Sequence, residues 1–136
     1  MTDILDLYDQ AERDGIPVYW FDLEATESLS CRLPDGSCAI AMDPWPMGTT
    51  ADEKVKLAHE LGHCETGSFY NRYAALDARR KHEVRADRWA IKKLIPEDEL
   101  WKAINQGYRR PWELAEYFDV TEEFIHKAVA YYKMIM

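Results

Sequence analysis

Every strand-like run in this 136-residue chain lies before Pro44, and after Pro46 the apolar pattern is helical to the end. The strand signals cover residues 16–23 (IPVYWFDL), 29–33 and 38–42. An amphipathic helix over 3–14, with Ile4, Leu7, Tyr8 and Ala11 on one side and Gly15 at its end, precedes them. Asp35-Gly36 joins the last two runs as a hairpin. The order is helix, small sheet, then helices only, which predicts an α+β domain with a three-stranded antiparallel sheet. With no repeat, low-complexity tract or linker, residues 1–136 read as a single domain.

The helices are delimited by their own punctuation. Thr50-x-x-Glu53 is a capping box that starts a helix through Val55, Ala58, Leu61 and His63, and Gly67 fits its stop. Helices over 78–95, 97–105, 111–118 and 121–133 follow, separated by Pro96, Gly107 and the Asp119-Val120 turn.

The first of these carries His59-Glu60-Leu61-Gly62-His63, in a chain with four histidines in all. Residues four apart on a helix lie one turn above the other, so both imidazoles can reach one ion. Glu60 is rotated by ~100° from His59, beside the ion but off it. This is the H-E-x-x-H pattern of zinc peptidases, in which the carboxylate acts on water without ligating the metal. Chance produces it in on the order of one chain in several hundred of this length. The capped helix and the room that Gly62 leaves for a neighbouring segment favour the site over coincidence.

A catalytic zinc takes three protein ligands, so a third is expected from another helix. On the 78–95 helix Glu83, Asp87, Ala90 and Leu94 fall within about 60° of one another, with Lys81, Arg85, Arg88 and Lys92 opposite. The inward face is apolar apart from two carboxylates, and buried carboxylates need partners. Glu83 is the expected third ligand and Asp87 the acceptor for a ring N–H of His59 or His63. An ion pair to Lys or Arg is the plainer role for Asp87. His82 competes as a ligand but points ~100° from Glu83. His126 reads as a surface or packed histidine. The cationic stripe reads as a solvated face or a docking surface for an acidic partner.

Composition limits the partners. A formal charge of −8 opposes non-specific nucleic-acid binding. The 111–132 segment superficially reads helix-turn-helix, yet its second helix offers only His126 and Lys127 to read bases. No run is long and apolar enough for a membrane span, and the acidic N-terminus is not a signal peptide, which points to the cytoplasm. A two-residue turn at Asp35-Gly36 sets Leu33 opposite Cys38 and Ile40 opposite Cys31. The thiols of Cys31 and Cys38 then do not meet, so reduced, mostly packed cysteines are expected, Cys64 included.

Residues 57–63 (LAHELGH), then E-x-x-A-D-x-W-A at 83–90 and Leu94-Ile95-Pro96, resemble the ImmA/IrrE family of metallopeptidases. The resemblance spans nearly the whole chain, with Asp87 and Trp89 differing from the commonest family residues. It implies a zincin-like cytoplasmic protease, often carried by phages and mobile elements, that cleaves a helix-turn-helix repressor. By carry-over, His59, His63 and Glu83 hold one zinc ion and Glu60 is catalytic. In this class an edge strand receives the extended substrate, a role expected here of the 38–42 strand. Tyr70 and Tyr73 are weak candidates to stabilise the oxyanion, aromatic packing being the simpler role. The competing function is a metal-bound module that sequesters the repressor without cutting it; an intact Glu60 speaks against it.

Overall fold

The computed structural model describes residues 1–24, 26–70 and 73–135. Helix α1 (Ile4–Arg13) starts at Asp3, whose side chain accepts from the Asp6 backbone while Asp6 returns the bond to Asp3. Strands β1 (Val18–Trp20), β2 (Ser28–Arg32) and β3 (Cys38–Met42) follow. Then come α2 (Thr50–Thr66), α3 (Leu76–Leu94), α4 (Glu97–Asn105), α5 (Pro111–Phe118) and α6 (Glu122–Ile135). The chain is α+β, as its pattern predicts.

The sheet departs from expectation in two ways. Its order is β1-β3-β2, and β1 runs parallel to β3 while β2 is antiparallel to it. The sheet is therefore mixed rather than antiparallel. β2 reverses direction without pairing with β1, and the hairpin then inserts β3 between them. The strand at 38–42 is consequently central, not an edge able to receive a substrate.

The second departure is one of register. Arg32 pairs with Cys38 and Cys31 with Ala39, one residue away from the pairing a two-residue turn imposes. Leu33 N–H donates to Ser37 O (2.7 Å), closing a three-residue loop, Pro34-Asp35-Gly36. Gly36 at φ 88° supplies the left-handed residue that such a loop requires. Asp35 Oδ1 accepts from Ser37 N (2.9 Å) and Ser37 Oγ (2.5 Å), which holds the wider turn. A slip of one residue exchanges the two faces of a strand.

The slip turns Cys31 outward, and β3's own alternation sets the place of Cys38. Cys38 faces α2, where its sulfur is joined to Cys64 as a disulfide with Cα atoms 5.7 Å apart, inside the span such a bond bridges. The expectation of reduced, packed cysteines is thus corrected: two are paired, and Cys31 is exposed. Cys31 and Cys38 do not meet, as the strand pattern predicts, and Cys38 is instead bonded across to α2.

Helix α2 is the spine of the core. Leu57, Ala58 and Leu61 are fully buried, against Ile40 and Met42 of β3 and Ala90, Leu94 and Ile95 at α3. Its cap is Thr49, which accepts from Asp52 N (3.1 Å), one residue before the expected box. Glu53 instead accepts from Tyr8 Oη (2.6 Å), tying α1 to α2. Lys54 is buried and donates to Phe118 O (2.6 Å), the carbonyl end of α5. A cation there satisfies an orphan carbonyl and the helix dipole together. Among the described residues no helix is long and apolar enough to cross a membrane.

At Gly62 the backbones of α2 and α3 nearly touch. A Cβ there would lie 2.5 Å from Ala86 O and 3.0 Å from Ala86 Cα. In an open helix Gly→Ala gains about 1 kcal/mol. Gly62→Ala is expected to cost about 1–3 kcal/mol instead, since α3 must move away; denaturant unfolding reads the sign. Titration with a thiol reagent in denaturant is expected to find only Cys31 free before reduction. All three cysteines reacting without reductant would contradict the Cys38–Cys64 pairing.

Candidate metal centre

Helix α2 presents His59 and His63 on one face, one turn apart, and α3 brings Glu83 across from them. The Nε2 atoms of the two histidines lie 3.2 Å apart. Glu83 Oε2 is 2.7 Å from His59 Nε2, and Glu83 Oε1 is 3.2 Å from His63 Nε2. These three side chains form a group whose donor atoms all lie within 4.8 Å of one another.

The ring nitrogens facing away are both occupied. His63 Nδ1 is 2.5 Å from Ser68 O. A carbonyl only accepts, so this nitrogen carries the hydrogen and Nε2 holds the lone pair. His59 Nδ1 meets Asp87 Oδ1 at 2.8 Å, which sets the same tautomer. With both rings neutral, two lone pairs and a carboxylate would converge, an arrangement relieved only by positive charge between them, proton or metal. A cation would complete the set, and the chemistry of two imidazoles with one carboxylate fits zinc.

Charge supports the fit. Burial disfavours a charged His59, but hydrogen bonds to Asp87 and Glu83 outweigh it and push its pKa up to about 10. His63 is also raised: burial opposes, while Glu83 and the Ser68 carbonyl prevail. Glu83 is held well below the usual carboxylate range, burial opposing and His59, His63 and Tyr70 prevailing. The pocket therefore favours positive charge, whether proton or metal.

Asp87 meets two partners. Oδ1 receives His59, and Oδ2 lies 3.6 Å from Lys127 Nζ on α6. Glu60 is buried beside the donors, and its Oε2 accepts from Ser28 Oγ (2.7 Å) on β2. Tyr70 Oη donates to Glu83 Oε1 (2.8 Å), and that bond, with burial, pushes its pKa up to about 12. His82 stacks on Tyr70, ring centroids 6.1 Å apart, and stays outside the donor group. Cys64 is engaged with Cys38, and Tyr73 and His126 are exposed.

The site opens on a cleft of about 800 Å³, framed by residues 26–30 of the β2 segment, by α2 and α3, and by Thr121, Glu123, Phe124 and Lys127 around α6. β2, an edge strand, forms its rim. Sequence reasoning missed Ser28, Ser68 and Lys127. The first was hidden by the misread hairpin register; for the other two, contributing a carbonyl and a distant helix, the chain holds no local signal.

A helix bearing H-E-x-x-H, packed on a helix with a further carboxylate and covered by a small sheet, defines a zincin-like peptidase domain. The chain belongs to the peptidase M78 family, whose IrrE N-terminal-like domain matches residues 11–129. No curated protein matches it. Among solved structures it is similar to a Mycobacterium tuberculosis transcriptional regulator, with a TM-score of 0.64 and 18% identity. The match covers 89% of this chain but only 39% of that one, and shows the shared fold.

Zinc titration of purified variants tests the donor set. His59→Ala and His63→Ala are expected to abolish binding and Glu83→Ala to weaken it strongly, while His82→Ala stays near wild type. Because His59 starts protonated, binding at pH 8 is expected to release roughly one proton per ion and to weaken as pH falls. Equal losses in His82→Ala and Glu83→Ala would overturn the assignment.

Proposed function

We propose that the protein is a zinc-dependent metallo-endopeptidase that cleaves a helix-turn-helix repressor, releasing genes of a phage or mobile element in the cytoplasm. Residues 1–136 act in this reading as one catalytic domain. His59, His63 and Glu83 hold the ion, Asp87 orients His59, and Glu60 handles the proton. The observation that carries the reading is the convergence of three donor side chains beside a buried, non-ligating glutamate at the floor of a cleft.

Zinc supplies a Lewis acid there, acidifying water and polarising the scissile carbonyl. Glu60 takes a proton from the attacking water and later delivers it to the departing amine nitrogen. Lys127 and Asp87 keep the His59 ring fixed while charge shifts across the site. The unpaired edge of β2 lies along the cleft, where an extended segment can add as a further strand, hydrogen bonding holding its backbone and the cleft sorting its side chains. That task passes to β2 because β3 is enclosed on both sides.

The repressor as substrate rests on the family resemblance, and charge is consistent with it. A chain of net −8 attracts a basic DNA-binding protein, and Glu27, Asp52 and Glu123 line the cleft itself.

Glu60→Gln separates cutting from binding. Gln is nearly isosteric but accepts no proton, so zinc content and partner affinity are expected to persist while cleavage falls about 10²–10⁴-fold. Co-expression with a repressor encoded beside the gene reads both repressor length and operator occupancy. Relief of repression by Glu60→Gln with the repressor intact would make the protein a sequestering module instead.

A further inference from the structure

Strand β2 is built inside out. Its register sets Ser28 opposite Met42, Ser30 opposite Ile40 and Arg32 opposite Cys38. Met42 and Ile40 are buried and Cys38 is bonded to α2, so this is the face that lies on the active helix. Ser28, Ser30 and Arg32 thus turn toward α2, while Leu29, 38% exposed, and Cys31 face outward. An antiparallel edge strand ordinarily does the reverse, apolar in and polar out. Burying a leucine is worth about 1.5–3 kcal/mol, part of which the outward placement of Leu29 forgoes. The polar row therefore needs partners of its own.

Two of its members have them. Arg32 Nη2 donates to Gly67 O (3.2 Å), the carbonyl of the residue that ends α2, and its guanidinium lies 4.9 Å over the Phe69 ring. Ser28 Oγ donates to Glu60 Oε2 (2.7 Å). Glu60 is 6% exposed, and a buried carboxylate without donors is costly. The terminal torsion of a glutamate is broad and poorly determined by sterics, so a hydrogen bond to one oxygen is an effective way to fix its plane.

We propose that Ser28 is the positioning residue for Glu60, an inference that rests on Glu60 being the proton acceptor. Ser28 occupies Oε2 and leaves Oε1 for the proton of the attacking water. Because Ser28 stands on the edge strand that frames the cleft, a chain paired along β2 and the carboxylate that serves it are held by the same backbone. The substrate's reacting carbonyl and the base are in this way located relative to one another through β2.

Acetohydroxamate binding to the zinc-loaded full chain reads the base without any substrate. A hydroxamic acid chelates zinc and gives its proton to a neighbouring base, so its affinity reports whether Glu60 is in place. Glu60→Gln is expected to weaken it most. Ser28→Ala is expected to weaken it about tenfold, the scale of one hydrogen bond to a charged group, with zinc affinity and melting temperature unchanged. Ser28→Thr, which keeps the hydroxyl, is expected to restore binding to within about threefold of wild type. With a cleavable repressor, Ser28→Ala is expected to lower kcat and leave KM in place. Ser28→Ala matching wild type while Glu60→Gln is weak would overturn the positioning role alone. Wild-type affinity in Glu60→Gln would overturn both that role and the reading of Glu60 beneath it. Loss of zinc in Ser28→Ala would show a structural role instead.

Discussion

The approach of α3 to α2 at Gly62 sets the distances on which the site depends. Gly62 lies between His59 and His63, and its missing side chain lets the Ala86 backbone rest against α2. Glu83 and Asp87 sit on either side of Ala86 along α3, so the contact that brings Ala86 in also brings both carboxylates to the histidines. A methyl group in that gap would push the donors apart by more than a metal–ligand bond tolerates. Packing and the convergence of the three donor side chains are here the same constraint.

Around that contact the electrostatics form a short chain. Lys127 faces Asp87, Asp87 faces His59, and His59 and His63 face Glu83, whose other neighbour is Tyr70. The outer ring nitrogens of both histidines are held by protein, so their Nε2 atoms and the Glu83 carboxylate converge on one place. The helices beyond α3 serve this arrangement. α6 supplies Lys127 and is tied down by Tyr132, which donates to Ile95 O (2.6 Å), while α5 is anchored by the buried Lys54. The segment that superficially resembles a DNA reader is thus part of the wall and support of the cleft.

The sheet decides access. Placing β3 in the centre consumes both of its edges and leaves β2 open beside the cleft. The one-residue wider turn at Asp35-Gly36 then determines which side chains of β2 meet α2. Had the turn held two residues, Leu29 and Cys31 would lie on the helix and Ser28 would face water, leaving Glu60 without that donor.

Local pattern was enough to locate the helices, the H-E-x-x-H turn and the carboxylate face of α3, because each is set by side-chain periodicity within a few turns of one helix. The order of helices and strands followed from the same short-range rules, while the start of α2 is capped by Thr49 rather than Thr50 and α3 begins two residues early at Leu76. Only the tertiary structure decided the pairing of β1 with β3, the hairpin register and the Cys38–Cys64 bond. Those depend on interactions between segments distant in sequence, or on a turn whose two-residue and three-residue forms share the same Asp-Gly signal. Ser28, Ser68 and Lys127 belong with them: a serine hydroxyl, a backbone carbonyl and a surface lysine carry no pattern of their own, and acquire roles only where folding sets them against Glu60, His63 and Asp87.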